Sequence, residues 1–104
     1  MEPCLKILVV EDEASIRKNL VTLLRINGYE VVDAPDGQAA LQLAHEIQPA
    51  LILSDVMMPV LDGFGLLQRL RQDPATAAIR LIFLTARNHR RDMRIGMNLV
   101  ADDY

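Results

Sequence analysis

Three apolar runs in this chain each end in a polar side chain capable of chemistry. Leu5–Val10 leads into Glu11-Asp12, Ala50–Ser54 into Asp55, and Ile79–Leu84 into Thr85. If these runs are parallel strands of one sheet, their carboxyl ends share the edge where open α/β sheets bind ligands. Three carboxylates and one hydroxyl then lie close together. Such acids cannot all stay charged unless a cation joins them or a proton is taken up. Hard oxygen donors at one pole suit Mg²⁺, which keeps several waters and takes one or two protein carboxylates. A carboxylate is also a competent nucleophile for in-line phosphoryl transfer, giving an aspartyl phosphate. Asp55 is the better nucleophile candidate, because it stands alone at the end of a central apolar run. Asp12 and Glu11 then serve the metal. The Thr85 hydroxyl and the backbone N–H of Ala86 are placed to donate to a phosphoryl oxygen.

A plainer reading competes for each residue alone. Acids just after strands often cap the next helix, and Asp12 or Glu11 fits that role about equally well. Asp55 fits it less, since Met57-Met58-Pro59 does not start a helix at once. Thr85 alone is an ordinary loop hydroxyl. The conjunction of all four at the ends of separate strands carries the chemical reading.

The elements that must position them follow from pattern. Leu5–Val10 is short, β-branched and nearly continuous, as a strand buried on both faces should be. Ile16, Leu20, Leu23 and Leu24 recur at helical spacing and Gly28 follows as a stop. Glu30–Ala34 is a second strand. Pro35-Asp36-Gly37 is a turn with Asp36 as helix N-cap. Ala40, Leu43, Ala44 and Ile47 then form one helical face, ended by Pro49 before the strand Ala50–Ser54. Met58-Pro59 and Asp62-Gly63 bracket a loop. A helix carrying Leu66, Leu67 and Leu70 is broken at Asp73-Pro74, Ile79–Thr85 is a fourth strand, and a last helix covers about Arg90 to Leu99. Such β-α alternation with short loops predicts a parallel sheet with helices on both faces.

With 104 residues, 51 % of them hydrophobic, the chain fits one domain with a real core. Its net charge of −3 points to neither nucleic acid nor an anionic membrane. No apolar run approaches the ~20 residues of a membrane span, and Met1-Glu2-Pro3-Cys4 lacks a signal-peptide n-region. The one cysteine, Cys4, excludes an internal disulfide framework, and a reducing cytoplasm is the expected location.

The segments Ile7-Leu8-Val9-Val10-Glu11-Asp12-Glu13, Asp55-Val56-Met57-Met58-Pro59 with Asp62-Gly63, and Leu84-Thr85-Ala86 resemble the receiver domain of bacterial two-component response regulators. The resemblance runs in order from about Leu5 to Tyr104. It implies a flavodoxin-like doubly wound sheet of order 2-1-3-4-(5). It implies that Asp55 accepts a phosphoryl group from a histidine kinase or phosphotransfer protein. It implies Mg²⁺ held by Asp12, Asp55 and the backbone carbonyl of Met57, with Glu11 acting through water. Thr85 would turn inward on phosphorylation, and Tyr104 matches the family's switch aromatic. A modest self-dephosphorylation is also implied, without making the chain a dedicated enzyme.

Departures accompany the match. The family lysine expected a few residues after Tyr104 lies past the end of the chain, as do most of the fifth strand and the fifth helix. The chain thus reads as a receiver domain over 1–104, cut short at its C-terminus. Val100 stands where many relatives carry glycine, and Glu11 replaces the commoner aspartate.

Two rival functions are weaker. A stand-alone phosphohydrolase would need a second acid two residues after the nucleophile, where Met57 stands. A fold-only interaction domain would lack an acid at 12 or 55. Arg87, His89, Arg90, Arg91 and Arg94 form a basic tract, read mainly as a solvated face with partner docking as the minority alternative. On the last helix, Met93, Met97 and Val100 form one stripe, with Ile95 and Leu99 nearly opposite. That leftover stripe, or the open sheet edge, is expected to favour homodimers. His45 and His89 lack ligand spacing and read as surface residues.

Overall fold

Lys6–Val10 forms the first strand, β1, whose Leu8, Val9 and Val10 are wholly buried, as a strand covered on both faces requires. The computed structural model describes residues 5–58 and 60–84. In chain order β1 is followed by α1 (Ala14–Ile26), β2 (Glu30–Ala34), α2 (Gly37–Ile47), β3 (Leu51–Asp55), α3 (Gly63–Gln72) and β4 (Arg80–Leu84). The strands form one parallel sheet of order β2-β1-β3-β4. This is the expected order over its first four strands. Thr85, Ala86, the basic tract, the last helix and Tyr104 lie outside the described residues, as does any fifth strand.

The two faces of the sheet separate by alternation along the strands. Leu8, Val10, Ile52, Leu81 and Phe83 face α2 and α3, where they pack with Ala40, Ala44, Leu66, Leu67 and Leu70. Ile7, Val9 and Val31 face α1 and meet Val21, with Leu20, Leu24, Leu51 and Leu53 packed around them. Phe83 also meets Phe64 edge-on, with ring centroids 5.1 Å apart.

The helix on the second face corrects one sequence expectation. Leu23, assigned to the apolar stripe, is 57 % exposed, whereas Val21 is buried. Two residues of helix turn the chain by about 200°, so Val21 and Leu23 point almost oppositely. The sheet takes Val21 together with Leu20 and Leu24.

Local signals set the helix ends. Asp36 Oδ1 accepts from Ala39 N at 2.8 Å and Asp62 Oδ1 from Gly65 N at 2.7 Å, capping α2 and α3. Gly28 takes φ 93° just past α1, a conformation glycine adopts without steric cost. In the link after α3, buried Thr76 donates its hydroxyl to Leu70 O at 2.8 Å.

Candidate functional site

β1 and β3 are adjacent, with Val10 in register with Ser54. One residue further, Glu11 and Asp55 therefore emerge side by side at the carboxyl edge. Here the sheet order reverses direction, since β2 lies to one side of β1 and β3 to the other. That reversal opens a crevice between the strand ends. Side-chain oxygens of Glu11, Asp12 and Asp55 all lie within 4.8 Å of one another. Glu11 and Asp55 are buried, at 1 % and 4 % exposure, whereas Asp12 is exposed. Asp55 is the last residue of β3 and belongs to the strand itself, so the ladder to β4 fixes its backbone.

The electrostatics follow from this crowding. Burial pushes the Glu11 carboxyl up from 4.5 to about 7; the Glu13 N–H opposes this, while a hydrogen bond with Asp12 and the charges of Asp55 and Asp12 add to it. Glu13 N donates to Glu11 Oε2 at 2.9 Å. The capping alternative for these acids is not the one adopted. The N-cap of α1 is Glu13, and its side chain makes no cap bond.

The β3–α3 connection is held close to the acid pocket. Gly63 N donates to Val56 O at 2.9 Å. A Cβ on Gly63 would lie 2.4 Å from Asp55 O, and one on Gly37 would lie 2.2 Å from Leu61 O. Both positions therefore admit only glycine without movement of backbone. Met58 is buried in the core, while Met57 is 55 % exposed. Met57 follows Asp55 by two residues in the chain. Val60 in the same loop has φ 71°, unusual for a β-branched residue.

Sequence reasoning missed Arg17. Its Nη1 donates to Glu11 O at 2.8 Å and its Nε to Asp33 Oδ2 at 3.0 Å. No motif announces a contact between a helix residue, a strand-end carbonyl and the end of β2. The Asp62-Gly63 pair did signal a loop end, but not the pressure of Gly63 on Asp55.

A metal fits this donor set. Three carboxylates supply only hard oxygen, two are fixed by buried backbone, and the third faces solvent.

An open parallel α/β sheet with an acid pocket at its switch point places that pocket where domains of this architecture bind their ligands. A family model for the response regulator receiver domain matches residues 7–104, and the chain belongs to that family. It is thus a phosphoacceptor signalling module of two-component systems, and receiver domains interact with histidine kinases. The chain is 48 % identical over 99 residues to the probable transcriptional regulator ycf27 of Galdieria sulphuraria, covering 95 % of this chain and 38 % of that protein. It is 46 % identical over 103 residues to the alkaline phosphatase synthesis transcriptional regulatory protein PhoP of Bacillus subtilis, covering 95 % and 40 %. The chain therefore spans about two-fifths of the length of these curated relatives.

Solved structures agree in fold. The N-terminal domain of a response regulator receiver protein from Methanoculleus marisnigri superposes with TM-score 0.87 at 33 % identity, covering 98 % of this chain and 83 % of that one. The receiver domain of a sensor histidine kinase from Pseudomonas aeruginosa gives TM-score 0.88 at 29 % identity, covering 98 % and 84 %, and holds a magnesium ion in its active-site cleft. Among the described residues of this chain, no helix is long and apolar enough to cross a membrane.

Proposed function

We propose that Asp55 is the phosphoacceptor, that Asp12, Asp55 and the Met57 carbonyl hold Mg²⁺, and that Glu11 acts on it through water. The observation that carries this reading is the convergence of three carboxylates within 4.8 Å at the ends of β1 and β3. Asp55 presents a carboxylate oxygen from a rigid strand end. That oxygen attacks phosphorus of a phosphohistidine on a histidine kinase or phosphotransfer protein. A P–O bond forms as the P–N bond breaks, and the electron pair returns to the donor nitrogen. When bound, Mg²⁺ neutralises charge among the acids and on the incoming phosphoryl group.

The rest of the reading concerns residues outside those described. Thr85 donates its hydroxyl to the phosphoryl group and moves with Tyr104, so the added charge changes the shape of that face. Water attack on the acyl phosphate returns the domain slowly to its resting form, a weak self-phosphatase activity. The receiver unit occupies 1–104, works in the cytoplasm, contacts no nucleic acid itself and pairs with a second copy through the sheet edge or the last helix. The longer regulators among its relatives support an output function elsewhere in a full-length protein.

Intact mass after exposure to a small phosphodonor with Mg²⁺ tests the reading. Wild type gains one phosphoryl mass and Asp55→Asn gains none. Equal adducts on both would exclude Asp55 as the main acceptor.

A further inference from the structure

Among the hydrogen bonds of the described residues, Arg17 ties the acid-bearing turn through Glu11 O and reaches across to Asp33 at the end of β2. Glu11 N still pairs with the sheet, donating to Ala34 O at 3.1 Å. After that bond the chain leaves β1, and Asp12 hangs from the next peptide. The carbonyl of that peptide is Glu11 O, the atom to which Arg17 Nη1 donates at 2.8 Å. Because a peptide is planar, holding its oxygen fixes the direction in which Asp12 departs.

The guanidinium is itself held. Its Nε donates to Asp33 Oδ2 at 3.0 Å, and its side chain is only 21 % exposed. Arg17 lies one turn into α1, so a rigid helix, the end of β2 and the loop carbonyl are joined by one planar fork. Among the described residues, other hydrogen bonds onto the turn are few. The N-cap Glu13 contributes no side-chain cap bond, and Asp12 is exposed. Glu13 N instead leans on Glu11 Oε2, which ties the loop to a side chain that the pocket also uses.

We infer that Arg17, anchored by Asp33, is a positioning residue for metal binding: it holds the Glu11–Asp12 peptide so that Asp12 meets Asp55 in a preset pocket. Its positive charge is spent on Asp33 and a carbonyl, so it acts on the pocket through backbone geometry. The inference rests on the metal reading given above and adds to it a residue outside the acid cluster. Outer partners that orient metal-binding groups typically cost 10–100-fold in affinity when removed. A backbone carbonyl clamp one peptide away belongs at the low end, about tenfold.

The test is Mg²⁺ titration of the full chain, followed by heat and by amide NMR shifts at Glu11, Asp12 and Glu13. It compares wild type with Arg17→Ala, Arg17→Lys, Asp33→Ala and Asp12→Asn, each also melted without metal. Arg17→Ala is expected to raise the Mg²⁺ Kd about tenfold. Asp33→Ala and Arg17→Lys, each keeping part of the fork, are expected to fall between. A lower melting point for Arg17→Ala with a wild-type Kd would make Arg17 merely structural and overturn the inference. If Arg17→Ala does not fold, unchanged Kd values in both Asp33→Ala and Arg17→Lys overturn it equally. Asp12→Asn separates the two levels. Loss of binding there beside intact binding in the Arg17 variants defeats only this inference, whereas wild-type binding in Asp12→Asn defeats the metal reading itself.

Discussion

Gly63 presses directly on the backbone of Asp55: a Cβ at residue 63 would stand 2.4 Å from the Asp55 carbonyl oxygen and 2.9 Å from the Phe83 ring. The start of α3 and the end of β3 can therefore be this close only without a side chain. Gly63→Ala meets both the strand end and a fully buried ring, and the backbone must shift to admit it. We expect it to cost about 1–3 kcal/mol, as overpacking does, and to slow phosphorylation of Asp55. Gly65→Ala is the control. There the nearest atom is the Leu61 Cδ1 methyl at 2.7 Å, which can swing away, and alanine favours the helix by about 1 kcal/mol. Urea melts showing equal losses for the two variants would refute the contact argument.

The acid pocket stores repulsion that metal should release. If the acids repel one another, removing one of their charges should stabilise the metal-free protein. Asp12→Asn is expected to gain about 1–2 kcal/mol without metal, a modest fraction of the Coulomb energy between close acids. Mg²⁺ should then raise the melting point of wild type much more than that of the variant. A metal-free variant less stable than wild type, with the same response to Mg²⁺, would show that the acids do not repel.

His45 ties α2 to the link after α3 in a pH-dependent way. Its Nε2 meets Asp73 Oδ2 at 2.5 Å and its Nδ1 meets Leu41 O at 3.0 Å. Both partners accept, so both bonds together require the protonated ring. The hydrogen bond to Asp73 raises His45 above 6.5, and the same bond lowers Asp73 below 3.8. For a raised histidine the stabilisation is complete below pH 6.5 and fades as pH rises through the folded value. For a lowered aspartate it is complete above pH 3.8 and fades as pH falls through the folded value. The pair therefore acts fully between pH 3.8 and 6.5. The melting-point gap between wild type and His45→Gln should peak in that window, shrink toward alkaline pH, and weaken with salt because both side chains are well exposed. A gap independent of pH would rule the pair out as its source.

Val60 holds a left-handed backbone at φ 71° while 82 % exposed. A β-branched residue loses about 1–2 kcal/mol there, and little packing offsets it. Val60→Gly relieves that strain but gives the unfolded chain more freedom, worth about 0.4–1 kcal/mol. The net expectation is a gain of up to about 1 kcal/mol in chemical denaturation. A loss of stability would mean that the Val60 side chain makes contacts of its own.

Much of this molecule was readable along the chain, because the signals are made between near neighbours. The continuous apolar runs in Lys6–Val10 and Leu51–Asp55, the cap at Asp36, and the breaks at Gly28 and Asp73 each depend on a few adjacent residues. The acids were legible because strand ends in a parallel sheet must lie together. Leu23 misled because a helical pattern leaves open which side of a broad stripe the sheet will cover, and here it chose Val21.

Sequence alone determined the β-α order, the residues lining the core strands and the identity of the acids at their ends, since these follow from local period and connectivity. Tertiary structure decided the pairings between distant residues. Arg17 reaches Glu11 O and Asp33, Gly63 presses on Asp55, and His45 finds Asp73 28 residues away. Such contacts carry no local signature, because each exists only once packed helices and strands bring independent segments within hydrogen-bonding or van der Waals range.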